Sequence, residues 1–165
     1  MEGSPFGGGA FLYLREGNSF KISMGLGTGS NNFVELLSLK LLLIFAAEKG
    51  CRTLVCFGDS MNVIIWVKKT QVCRHLRLEN ILISIAEIIG SLDTFSCSHV
   101  YRENNREVDL ASKEGLLLME GQWKISEKLD DTEQTYYHRP FVKGGGSSLI
   151  LWQWFCTYCS CYSVF

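Results

Sequence analysis

The run Thr53-Leu54-Val55-Cys56-Phe57, closed by Gly58-Asp59-Ser60, constrains the fold more than any other segment. It is strand-length and unbroken by polar alternation, as expected of a parallel strand covered by helices on both faces. Helical patterns flank it. The apolar residues from Val34 to Phe45 predict a helix from about Asn32 to Lys49, capped by Ser30 or Asn31 and stopped at Gly50. They cover most of its circumference, so it is buried on more than one side. Met61–Lys69, Leu78–Ile89 and Asn105–Leu118 read as further helices, and Phe95–Tyr101 alternates as a strand. Before them, Ala10–Leu14 and Ser19–Met24 read as two short strands joined at Glu16-Gly17-Asn18, and Gly25–Ser30 as a flexible loop. Strands alternating with helices after an opening hairpin predict an α/β fold with a mixed sheet.

The 165 residues suit one domain, and a chain nearly half apolar and one fifth charged is not disordered. The net charge of −1 excludes a strongly basic nucleic-acid coat. It leaves room for a local basic face at Lys68, Lys69, Arg74, His75 and Arg77, which reads equally as a phosphate track or a solvated connection. Met1-Glu2-Gly3-Ser4 opens no secretory signal, so an intracellular location (nucleus or cytoplasm) is expected, with Cys51, Cys56, Cys73 and Cys97 as buried apolar residues. The expected division is a domain over 1–118, an irregular polar extension over 119–141 and a Gly/Ser linker with an apolar tail over 142–165. That uncharged tail, with Cys156, Cys159 and Cys161, is a poor membrane span and lacks a fourth zinc ligand, so it reads as disordered or non-native sequence outside the domain. No membrane partner is expected.

Three acidic residues stand where chemistry could use them. Glu35 is in the first turn of the long helix, Asp59 just past the carboxyl end of the parallel strand, and Asp109 near the start of a later helix. Open α/β sheets bind ligands beyond the carboxyl ends of their strands, and carboxylates gathered there suit Mg²⁺. Singly, each also reads as a helix-dipole partner or cap.

Their surroundings are more specific. Asn31-Asn32-Phe33-Val34-Glu35, then Gly58-Asp59-Ser60, then His99-Val100-Tyr101-Arg102-Glu103-Asn104-Asn105 running on to Asp109-Leu110-Ala111, occur in this order. Together they resemble the type 1 ribonuclease H family, in particular its plant branch associated with non-LTR retrotransposons. The resemblance spans about Gly7 to Ala111 and implies a ribonuclease H-like mixed sheet with flanking helices. It implies Mg²⁺-dependent endonucleolytic hydrolysis of the RNA strand in RNA–DNA hybrids, with two ions, or Mn²⁺ in their place. Glu35, Asp59 and Asp109 match three of the family's four metal-binding carboxylates. Asn31 and Asn32 match its minor-groove pair, where amides that both donate and accept can read 2′-hydroxyls. Ser60 matches a place for phosphate contact or a helix cap, and Asn105 a position close to the reacting groups. Members of the family often carry a mobile histidine that helps product leave; His99 lies in the strand pattern instead and reads as structural.

The front of the chain departs from the family. An apolar-Asp-Gly first strand is expected in the middle of the sheet, and Met1-Glu2-Gly3-Ser4-Pro5-Phe6 does not supply it. Glu2 is the nearest stand-in, one methylene longer. The expectation is therefore an N-terminally truncated domain with an open seam in its sheet. Its rival functional reading is a catalytically inactive nucleic-acid-binding remnant.

Overall fold

The structure, a computed structural model, describes residues 5–138 and 160–164. The chain enters as a hairpin of β1 (Pro5–Arg15) and β2 (Asn18–Thr28), turned at Gly17 with φ +76°. Gly25–Thr28, expected as a loop, is strand, because Phe6 to Gly8 extend the ladder opposite Gly27 to Met24. Next comes α1 (Asn31–Glu48), with the Phe33 N–H donating to the Ser30 hydroxyl at its start. Its end is closed by Gly50 at φ +80°, with the Gly50 and Cys51 N–H groups donating to Ala47 and Ala46. Then follow β3 (Thr53–Gly58), α2 (Met61–Val67), α3 (Leu76–Gly90), β4 (Thr94–His99), a 3-10 turn at Arg102–Asn104 and α4 (Arg106–Gly115). The remaining strands are β5 (Trp123–Leu129), β6 (Thr132–His138) and β7 (Ser160–Val164).

The sheet runs β4-β3-β7-β1-β2-β5-β6. β3 is parallel to β4 and β7, and the other pairings are antiparallel. Two expectations change here. Most of the extension expected over 119–141 is the β5–β6 hairpin, added to the edge of β2 with Met24 opposite Trp123 and Asn18 opposite Leu129. Its alternation is real: Trp123 and Ile125 are buried, while Lys124 turns to the other face and meets Glu114 at 3.5 Å. The seam expected to stand open is occupied by β7, which lies along Thr53–Phe57 of β3 and Phe11–Tyr13 of β1. Backbone N–H and C=O groups inside a sheet must be paired, and residues 160–164, expected outside the domain, pair them. Residues 139–159 lie outside the described residues, as do Met1 to Ser4, among them Glu2.

The core lies on the α1 face. Ala10 and Leu12 of β1, Phe20, Ile22 and Met24 of β2, and Leu54 and Cys56 of β3 pack there against Leu36, Leu39, Leu42 and Leu43. Cys51, Cys56, Cys73 and Cys97 are buried, and burial pushes the Cys97 thiol up to about 12, so it acts as a small apolar side chain. Among the described residues no helix is long and apolar enough to cross a membrane.

The opposite face of β1 and β2 is covered by α4, and here backbone lies against backbone. A Cβ on Gly7 would overlap the Ser112 carbonyl oxygen, and one on Gly9 the Val108 carbonyl oxygen. Glu114 fixes the far end of the helix through Lys21 at 2.9 Å. We expect Gly9→Ala to lower stability by about 1–3 kcal/mol through overpacking. Gly90→Ala, which meets open space at the end of α3, should be neutral or mildly stabilising. Urea midpoints of the two variants check this.

Candidate active site

A cavity of about 230 Å³ opens beyond the carboxyl end of β3, and its wall includes Glu35, Asp59 and Asp109. Asn31, Arg102 and Asn105 also line it, as do Gly7, Gly8 and Gly9. Thus α1, the turn after β3 and α4 each bring one carboxylate, and the glycines let α4 descend far enough to bring the third.

Glu35 lies one position past the first turn of α1, which has no acidic residue. The helix dipole therefore explains it less well than the sequence pattern suggests. Burial, and then repulsion from Asp59, push its carboxyl up to about 7, partly offset by the Arg102 guanidinium. Asp59 follows β3 directly, with its side chain 17% exposed. The Arg102 Nε donates to its Oδ2 at 3.5 Å. The peptide on each side of this turn is also held: the Val100 N–H donates to the Gly58 carbonyl at 2.9 Å, and the His99 Nε2 lies 3.2 Å from the Asp59 carbonyl. Asp109 stands in the first turn of α4 and pairs with Lys113 at 3.0 Å. Asn105 is buried beneath it, and its carbonyl accepts the Asp109 N–H at 3.0 Å.

Of the residues singled out in the sequence, Glu35, Asp59, Asp109, Asn31 and Asn105 share this cavity. Asn32 and Ser60 do not line it, and Ser60 precedes α2 without a side-chain capping bond. Arg102, which the sequence does not single out, also lines the cavity. Its signal was a cation seven residues before Asp109 in the same motif.

The donor chemistry fits a hard divalent cation. The acidic groups are all oxygen ligands, and the raised Glu35 carboxyl shows that uncompensated negative charge is costly there. Among the described residues, however, no three acidic, His or Cys side chains are close enough to share one ion as placed. Asp59 and Asp109 are instead turned to Arg102 and Lys113.

Residues 8–115, about two thirds of the chain, match the reverse transcriptase-like protein family. The chain belongs to that family. No curated protein matches this reverse transcriptase-like chain. Solved structures do. RNase H1 from the halophilic archaeon Halobacterium salinarum superposes with a TM-score of 0.57 at 22% identity, covering 65% of this chain and 95% of that one. The N-terminal RNase H domain of a Mycobacterium tuberculosis protein, solved as a fusion with maltose-binding protein, gives 0.56 at 15% identity over 66% and 95%. An RNase H1 isolated from compost by a metagenomic approach gives 0.54 at 16% identity over 65% and 91%. The fold is ribonuclease H-like.

The raised Glu35 carboxyl has a measurable consequence. Its folded value of about 7 exceeds the ordinary 4.5. Between these values the native state holds more protons than the unfolded chain, so stability falls as pH rises through that window. Glu35→Gln removes the cost. It should stabilise the protein by about 1–3 kcal/mol at pH 8 and by little at pH 4.5, read from urea midpoints at the two pH values.

Proposed function

We propose that this chain is a ribonuclease H-type nuclease of the plant retrotransposon-associated branch, hydrolysing the RNA strand of RNA–DNA hybrids. The observation that supports this most is the convergence of Glu35, Asp59 and Asp109, from three separate motifs, on one cavity at the carboxyl end of a parallel strand. Glu35, Asp59 and Asp109 would hold divalent ions, two Mg²⁺ or Mn²⁺ in their place, which when bound supply the Lewis acid and the activated water of phosphodiester hydrolysis.

The chain's own residues prepare that chemistry. Burial of Glu35, and then its repulsion from Asp59, make the site favour positive charge. Arg102, with its side chain 80% exposed, balances Asp59 and is free on its outer side to meet a phosphate. Asn31 offers an exposed amide at the rim, suited to 2′-hydroxyls of an RNA strand. Arg77 lies over the Phe33 ring, 5.2 Å from its centroid, which brings the exposed basic stretch Lys68 to Arg77 beside the start of α1. That stretch is placed to follow the hybrid backbone by charge alone.

A second reading, a nucleic-acid-binding remnant without turnover, is favoured by two features. Asp59 and Asp109 are each occupied by a cationic side chain, and β7, the strand beside β3, contains no carboxylate. Cleavage of a labelled RNA–DNA hybrid by the purified chain separates the two. The nuclease predicts Mg²⁺-dependent cutting, lowered about a hundredfold or more by Asp59→Asn through loss of charge stabilisation worth several kcal/mol. Salt-sensitive hybrid binding without cutting at any Mg²⁺ or Mn²⁺ concentration would establish the remnant. Neither binding nor cutting would overturn both.

A further inference from the structure

We propose that His99 is a positioning residue for Asp59, holding the backbone turn that aims this carboxylate into the cavity. The inference rests on the nuclease reading for its consequence but on geometry for its substance.

The parallel pairing of β3 with β4 ends at Gly58 opposite His99. Asp59 lies beyond it, at a point where the turn has few restraints of its own. Gly58 before it has no Cβ, and Ser60 after it makes no side-chain capping bond to α2. Two bonds from the other strand's end supply the restraint. The Val100 N–H takes the Gly58 carbonyl at 2.9 Å, and the His99 ring reaches the Asp59 carbonyl at 3.2 Å. A backbone carbonyl only accepts, so His99 must carry its proton on Nε2. The ring is itself oriented, edge to face with Tyr101 at 5.4 Å and 86°. His99 thus touches Asp59 through its backbone, while Arg102, three residues on, reaches its carboxylate. One short segment grips the backbone and the side chain of the same acid.

Three variants and one spectrum test this. In metal-free protein, ¹⁵N spectra of the His99 ring should show the Nε2–H tautomer, and the Nδ1–H tautomer would overturn the proposal. His99→Ala should weaken Mn²⁺ binding, followed by paramagnetic relaxation, by about tenfold, as expected for loss of an outer support. Hybrid cleavage should show the same fall in kcat with KM nearly unchanged. His99→Gln, whose amide nitrogen stands where Nε2 does, should recover most of both. His99→Asn, whose amide is too short, should not. A folded His99→Ala with wild-type Mn²⁺ affinity would overturn the proposal. So would a Gln variant as impaired as the Ala variant, or a wild-type chain that binds no Mn²⁺. If wild-type protein binds Mn²⁺ but cuts no hybrid, the nuclease reading fails while the Mn²⁺ comparison still decides the role of His99.

Discussion

The approach of α4 to β1, close enough for backbone atoms to touch, is the constraint on which the site depends. A helix normally rides on a strand at the distance its side chains impose. Here Gly7 and Gly9 remove the strand's side chains on that face, and Ser112 and Val108 carbonyls occupy the space. The same lowering carries Asp109 and buried Asn105 to the cavity wall, opposite Glu35 on the other face of the sheet. The ion pair of Glu114 with Lys21 anchors the far end of α4, and the Tyr13 hydroxyl reaches Glu107 at 3.4 Å near its start. Folding and site geometry are thus one problem: what seats the helix also completes the carboxylate set.

Electrostatics then gives the cavity its character. Burial, and then the nearby Asp59 charge, raise the cost of ionising Glu35, and the Arg102 guanidinium relieves part of it. The protein offers Arg102 to Asp59 and Lys113 to Asp109, while Glu35 is left with a carboxyl pushed up to about 7. Both cationic partners are mostly solvent-exposed along their side chains, so holding them in place adds little stability.

Much of this was legible in the sequence because it is written in local pattern. The apolar run of β3, the Ser30 cap and the Gly50 stop follow from short-range chemistry, whereas the three acidic residues were marked by the resemblance of the motifs around them, and the structure lines one cavity with them. What escaped reading depends on partners far along the chain. Trp123 to Leu129 alternates as a strand should, yet only the β2 edge gives that alternation a place. The β7 segment is five uncharged residues with no turn signal of its own, and its place follows from unpaired groups on β1 and β3 more than a hundred residues earlier. Arg102 and His99 stand in a motif whose polar look hides that both point back to Asp59 across 43 and 40 positions of chain. Gly25 to Thr28, rich in glycine, looks like a loop until the facing strand is seen to be glycine-rich too.

Glu35 and Asp59, from different motifs, face one cavity, and the charge of the second raises the carboxyl of the first. Direct titration of the Glu35 side-chain carboxyl by ¹³C NMR, in wild-type protein and in Asp59→Asn, measures it. A value near 7 is expected in the wild type, falling measurably when the Asp59 charge is removed. A Glu35 carboxyl that titrates near 4.5, the ordinary value, and does not respond to Asp59→Asn would contradict it.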